Sequence, residues 1–100
     1  MAPTASLDAA RNAITSAERN DARRYAGADL DEARQQLERA EAAVSKERMV
    51  DARRYAERAA VAAELASAKA DAAKAAEINR QIHRSAEALE EEMRRTGEQQ

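Results

Sequence analysis

Apolar positions along the chain recur at steps of three and four, and two breaks in that rhythm divide it into three segments. The first segment carries Leu7, Ala10, Ala13 or Ile14, and Ala17. This stripe predicts a helix over about 5–20, with an extension to Tyr25 left open. Thr4 or Ser6 is placed to cap it, and Asp8 falls in the first turn, where the helix dipole favours an acid. The stretch "YAGADLDEA" (25–33) then interrupts the pattern. Gly27 can take positive φ and end a helix. Asp29 suits an N-cap, and Glu32 follows three residues later, the spacing of a capping box. The second helix, over about 30–45, aligns Leu30, Ala33, Leu37, Ala40 and Val44 on one face. It fades at "SKER" (45–48), where Ser45 is a candidate cap for the next helix.

The third segment predicts one long helix over about 47–95, since neither Pro nor Gly interrupts it before Gly97. Small residues form one seam along it: Ala52, Ala56, Ala59, Ala63, Ala66, Ala70 and Ala73. A second seam runs through Val61, Leu65, Ala68, Ala72, Ala75, Ile78, Ile82, Ala86, Leu89 and Met93. Both have coiled-coil spacing. Glu90–Arg94 and Glu91–Arg95 stand at i,i+4, with the arginines in the last turn. The expected fold is all-α: a three-helix antiparallel bundle with a long C-terminal helix and Ala-rich, coiled-coil-like packing. Residues 1–4 read as a disordered or trimmed tail, 5–95 as a single helical domain, and 96–100 as a disordered tail.

Length turns this pattern into an expectation about association. At 1.5 Å per residue the third helix is about 70 Å long, and each of the other two roughly 25–30 Å. If both pack on the same stretch, the far half of the long helix stays uncovered. That half carries Ile78, Ile82, Leu89 and Met93. A bare apolar stripe normally finds a partner, so these four residues are the candidate self-association surface, with a homo-oligomer (a dimer) or another protein as occupant. The competing expectation offsets the short helices so that they cover the stripe within one chain.

The string "DARRYA" occurs at 21–26 and again at 51–56, inside a wider similarity between "LDAARNAITSAE" (7–18) and "LDEARQQLERAE" (30–41). The second copy of the string lies seven residues further from its preceding match, two helical turns, so the apolar face is kept. Helix duplication accounts for this, and the spacing is too irregular for tetratricopeptide repeats. Each Tyr, with the flanking Ala, is expected to plug a helix end while the Arg residues stay in water or pair. The alternative is a ligand patch of Arg23, Arg24, Tyr25, Arg53, Arg54 and Tyr55 that binds an anionic or sugar ligand.

Composition narrows the chemistry. Of 100 residues 28 are Ala and only two are aromatic, so the core is thin and too shallow for a dry catalytic pocket. The net charge of −2 is spread evenly, without the basic face that nucleic acid requires. No stretch is apolar enough to span a bilayer, and none of these 100 residues reads as a signal peptide. Without Cys there is neither disulfide nor thiolate metal site. His83 shares a face with Asn79 and Glu87, too few ligands for zinc. Glu90, Glu91 and Glu92 read as a solvated face. The serines lack a His or a nucleophile elbow, and no Gly-rich phosphate loop occurs. No enzyme, cofactor or metal is expected.

The run "AARNAITSAERNDARRYAGADLDEARQQLERAEAAV", followed by "DARRYAERAAVAAELASAKADAAKA", resembles the Ala-rich helical domain of Gram-negative envelope lipoproteins known as domain of unknown function 4398. The likeness covers about 5–95 and is best around Tyr25, Ala26 and Leu30, although Gly27 stands where that family tends to have Pro. That domain occurs alone behind a lipoprotein signal or ahead of an OmpA-type domain. The resemblance implies a periplasmic, non-enzymatic protein, outer-membrane-anchored in its native form through a lipid on a segment not in this chain. It carries over no catalytic residue. The two function classes that follow are a cell-envelope structural and interaction module, and a binding module for cell-wall material.

Overall fold

The computed structural model describes residues 3–98. It is all-α. Helix α1 spans Thr4–Arg19, the single turn α2 Ala22–Tyr25, α3 Gly27–Ser45 and α4 Met49–Glu98. Leu7, Ala10, Ala40, Ala56 and Ala59 form one core cluster. Ile14, Ala17, Leu30, Ala33, Ala63, Ala66 and Ala70 belong to the other. The chain therefore rises along α1, descends along α3 and rises again along α4. Its extents are 80 × 19 × 14 Å.

The bundle is built on the first seam. Ala52, Ala56, Ala59, Ala63, Ala66 and Ala70 are completely enclosed. They receive Leu7, Ile14 and Leu30 from the short helices, while Leu37 and Val44 pack half-buried at the edge. Small side chains allow the helix axes to approach at the close end of the usual 8–10 Å. Among the described residues, Gln36 is the one polar side chain inside this core. Its Nε2 donates to Glu32 Oε1 at 2.8 Å, and its Oε1 has no partner.

Helix ends differ from the sequence expectation for local reasons. Neither Thr4 nor Ser6 caps α1; Pro3 does, without a side-chain bond. The helix stops at Arg19 and does not run on to Tyr25, because Asp21 turns left-handed at φ 65°. Asp tolerates that conformation better than most residues with a Cβ. Gly27 does not end a helix and has no positive φ; it is the first residue of α3, after a non-helical Ala26 at φ −149°, ψ 47°. Hence α3 begins earlier than 30, and the Asp29–Glu32 capping box does not form. Asp29 instead pairs with Lys69 at 2.8 Å.

At the second turn Ser45 is the last residue of α3, and its hydroxyl donates to Glu41 O rather than capping α4. Glu47 takes the left-handed position at φ 60°. Arg48 N donates to Ala43 O at 2.8 Å and Glu47 N to Val44 O at 2.9 Å, the paired bonds of a Schellman turn. Helix α4 then starts at Met49, not 47, and continues to Glu98. Thr96–Glu98, expected in a tail, are helical; Met1, Ala2, Gln99 and Gln100 lie outside the described residues. Arg94 and Arg95 pair at i,i+3 with Glu91 and Glu92, not at i,i+4 with Glu90 and Glu91.

Candidate interaction surface

Polar contacts mark where the bundle ends on α4. Asn20, at the end of α1, donates through Nδ2 to Ser67 O at 3.0 Å and to Asp71 Oδ1 at 2.6 Å. Lys74 Nζ donates to Asn20 Oδ1 at 2.7 Å and pairs with Asp21 at 3.3 Å. The Tyr25 hydroxyl, carried across by α2, donates to Glu77 Oε2 at 2.8 Å. That bond to a carboxylate, followed by partial desolvation, pushes the phenol above its ordinary value. Arg24 lies over the ring, 4.9 Å from its centre, and opposes the rise.

Beyond Glu77 every described residue of α4 is exposed. Ile78, Ile82, Leu89 and Met93 stand between 55% and 65% exposed. The short helices are not offset to cover them. Val61 and Leu65 are also exposed, on the side of α4 away from the bundle. The second seam is therefore bare over the bundle as well as past it, an extension that length alone did not indicate.

The two DARRYA strings have different local structures. At 21–26 the string makes a left-handed turn and one helical turn; at 51–56 it lies inside α4. Tyr25 meets α4 at Glu77, 22 residues past Tyr55, so the two rings sit about 33 Å apart along the helix. The structure thus does not gather Arg23, Arg24 and Tyr25 with Arg53, Arg54 and Tyr55 into one groove. Both tyrosines are half-buried beside a core cluster. Arg58 lies over Tyr55 at 5.7 Å, and Arg53 pairs with Glu57 at 3.1 Å. Arg54 lines a shallow groove of about 390 Å³ with Arg58 and Val61.

Tyr55 also borders a groove of about 240 Å³ with Arg39, Lys46, Arg48 and Asp51. Sequence reasoning missed these cations, because Arg39 comes from α3 and Lys46 and Arg48 from the turn that follows it. His83, Arg80, Arg84 and Glu87 share the exposed surface of the free half of α4. No group of three or more metal-ligating side chains occurs among the described residues. No described helix is long and apolar enough to cross a membrane.

The chain belongs to the family described as "Domain of unknown function (DUF4398)", whose model matches residues 5–82. No curated protein and no solved structure matches it.

Proposed function

We propose that this member of the family is a non-enzymatic structural and interaction module of the cell envelope, which self-associates through the C-terminal half of α4. The observation that carries the reading is the free run of 21 residues, 78–98, with Ile78, Ile82, Leu89 and Met93 exposed along it. These residues lack the tertiary packing from which helices in proteins draw most of their stability. Burying their apolar edge against another helix takes that surface out of water and supplies the missing packing. A periplasmic location, with a lipid anchor on a segment not in this chain, follows from the resemblance to envelope lipoproteins and completes the reading.

Sedimentation velocity on a dilution series tests association. The wild type is expected to shift from monomer to dimer with rising concentration, and Ile82→Asp to remain monomeric with unchanged bundle helicity. A wild type that stays monomeric throughout refutes the reading. A second reading, binding of an anionic cell-wall ligand, is favoured only at the Tyr55 end, by Arg39, Lys46 and Arg48. It predicts that Arg48→Ala weakens co-sedimentation with purified cell-wall sacculi, and an unchanged pellet fraction removes it.

A further inference from the structure

The exposed side of α4 keeps a stricter register than its four bulky residues suggest. Val61, Ala68, Ala75, Ile82 and Leu89 lie seven apart. Leu65, Ala72, Asn79, Ala86 and Met93 lie seven apart as well, each four residues after a member of the first set. These are the two core positions of a heptad. All ten are exposed. The enclosed alanines, from Ala52 to Ala70, point about 150° away around the helix at 3.5 residues per turn. One helix can therefore hold the bundle on one side and a further helix on the other at the same time.

Resting on the self-association reading, we propose that a second copy lies parallel and in register along α4 from Val61 to Met93, forming a two-stranded coiled coil. Area favours this full-length contact over one confined to the tip. The 33 residues from 61 to 93 span about 48 Å, and a strip about 10 Å wide on each copy amounts to roughly 1,000 Å² for the pair. The 21 free residues alone give roughly 600 Å², short of the about 1,000 Å² that a stable interface needs.

Flanking charges select the orientation. In a parallel pair each residue just before a heptad faces, in the second copy, the residue five positions on. Glu64 then meets Lys69, Asp71 meets Ala76, Ile78 meets His83, Ser85 meets Glu90 and Glu92 meets Gly97. The one attractive pair, Glu64–Lys69, shares its lysine with Asp29 of the same chain, and none of the pairs sets like charge on like. The antiparallel arrangement with equal coverage sets Glu64 against Glu92, a like-charge pair. Asn79 is the one polar residue among the ten core positions. A lone Asn facing its own counterpart fixes register and strand number at some cost in affinity.

The chain has no cysteine, so introduced thiols report the geometry without interference. Ile82→Cys, Leu65→Cys, Val61→Cys and Met93→Cys all alter exposed positions, and circular dichroism checks that each stays folded. Mild oxidation is expected to link Ile82→Cys to itself and Leu65→Cys to itself, and not to link Val61→Cys to Met93→Cys in a mixture. Asn79→Val is expected to tighten association roughly tenfold and to relax the strand number. A Val61–Met93 link overturns the parallel orientation. Self-linking of Ile82→Cys without Leu65→Cys overturns the full-length seam. In both of those cases the wild type still dimerises and the proposed function stands. A wild type that is monomeric throughout the dilution series, with no link from any variant, overturns both.

Discussion

Leu30 and Ile82 are similar in size and opposite in setting, and truncating each to Ala separates bundle from overhang. Leu30 is 1% exposed, the largest fully enclosed side chain among the described residues. Leu30→Ala removes three carbons, worth about 2.4 kcal/mol at about 0.8 kcal/mol each. The alanines around it have no side-chain length with which to refill the space, so a cavity term of about 1–2 kcal/mol adds to this. The expected cost is about 3.5–4.5 kcal/mol, a large part of the about 5–15 kcal/mol that holds a domain together. Melting should fall by roughly 15–25 °C. Ile82 is 59% exposed with no helix packed over it. At dilutions where the chain is monomeric, Ile82→Ala loses little burial and gains helix propensity, so its effect should stay within about 0.5 kcal/mol. Urea unfolding followed by circular dichroism, under monomeric conditions, measures both. A monomeric Ile82→Ala that loses about 2 kcal/mol or more would refute the reasoning, because some part of the same chain must then cover the overhang.

Glu47→Gly should stabilise the chain by about 1 kcal/mol in thermal or urea unfolding, since Glu47 holds a left-handed φ of 60° that costs a residue with a Cβ about 1–2 kcal/mol. Gln36→Leu should stabilise by about 1 kcal/mol in the same assay, because it replaces a buried carbonyl oxygen without a partner by carbon. In Tyr55→Phe, where Tyr25 is the sole phenol, an ultraviolet titration should place Tyr25 above the ordinary value of 10.0, and Glu77→Gln should lower it. A raised value means the folded state holds the proton more firmly, so this contact's stabilisation is whole below pH 10.0 and is lost as pH climbs through the folded value.

The three-and-four rhythm made the long helices legible, and the absence of Gly and Pro from 49–96 made α4 legible as one piece. The Ala seam from Ala52 to Ala70 was equally plain, because an unbroken face of small residues fits only close helix contact. The turns were not. Sequence signals pointed to Gly27 and the Asp29 box, whereas Asp21 and Glu47 take the positive φ angles. Tertiary contacts decided this: Asp29 is drawn to Lys69 and Asn20 to Ser67, Asp71 and Lys74, pairings 40 or more residues distant in sequence. Gln36 stood three residues after Ala33 and four before Ala40, on the buried face, but its polar identity hid it. Ile78 drew attention by its bulk, while Asn79, one residue on, keeps the register of the exposed seam.

The joint at Glu77 has a mechanical consequence. From there to Met93 the helix projects about 24 Å as a cantilever. A sideways load on its tip is levered onto the few side chains that clasp it at the root: Asn20, Asp21, Tyr25 and their partners on α4. Bending therefore concentrates at polar bonds, which can break and re-form, and spares the alanine contacts below, which cannot yield without parting the helices.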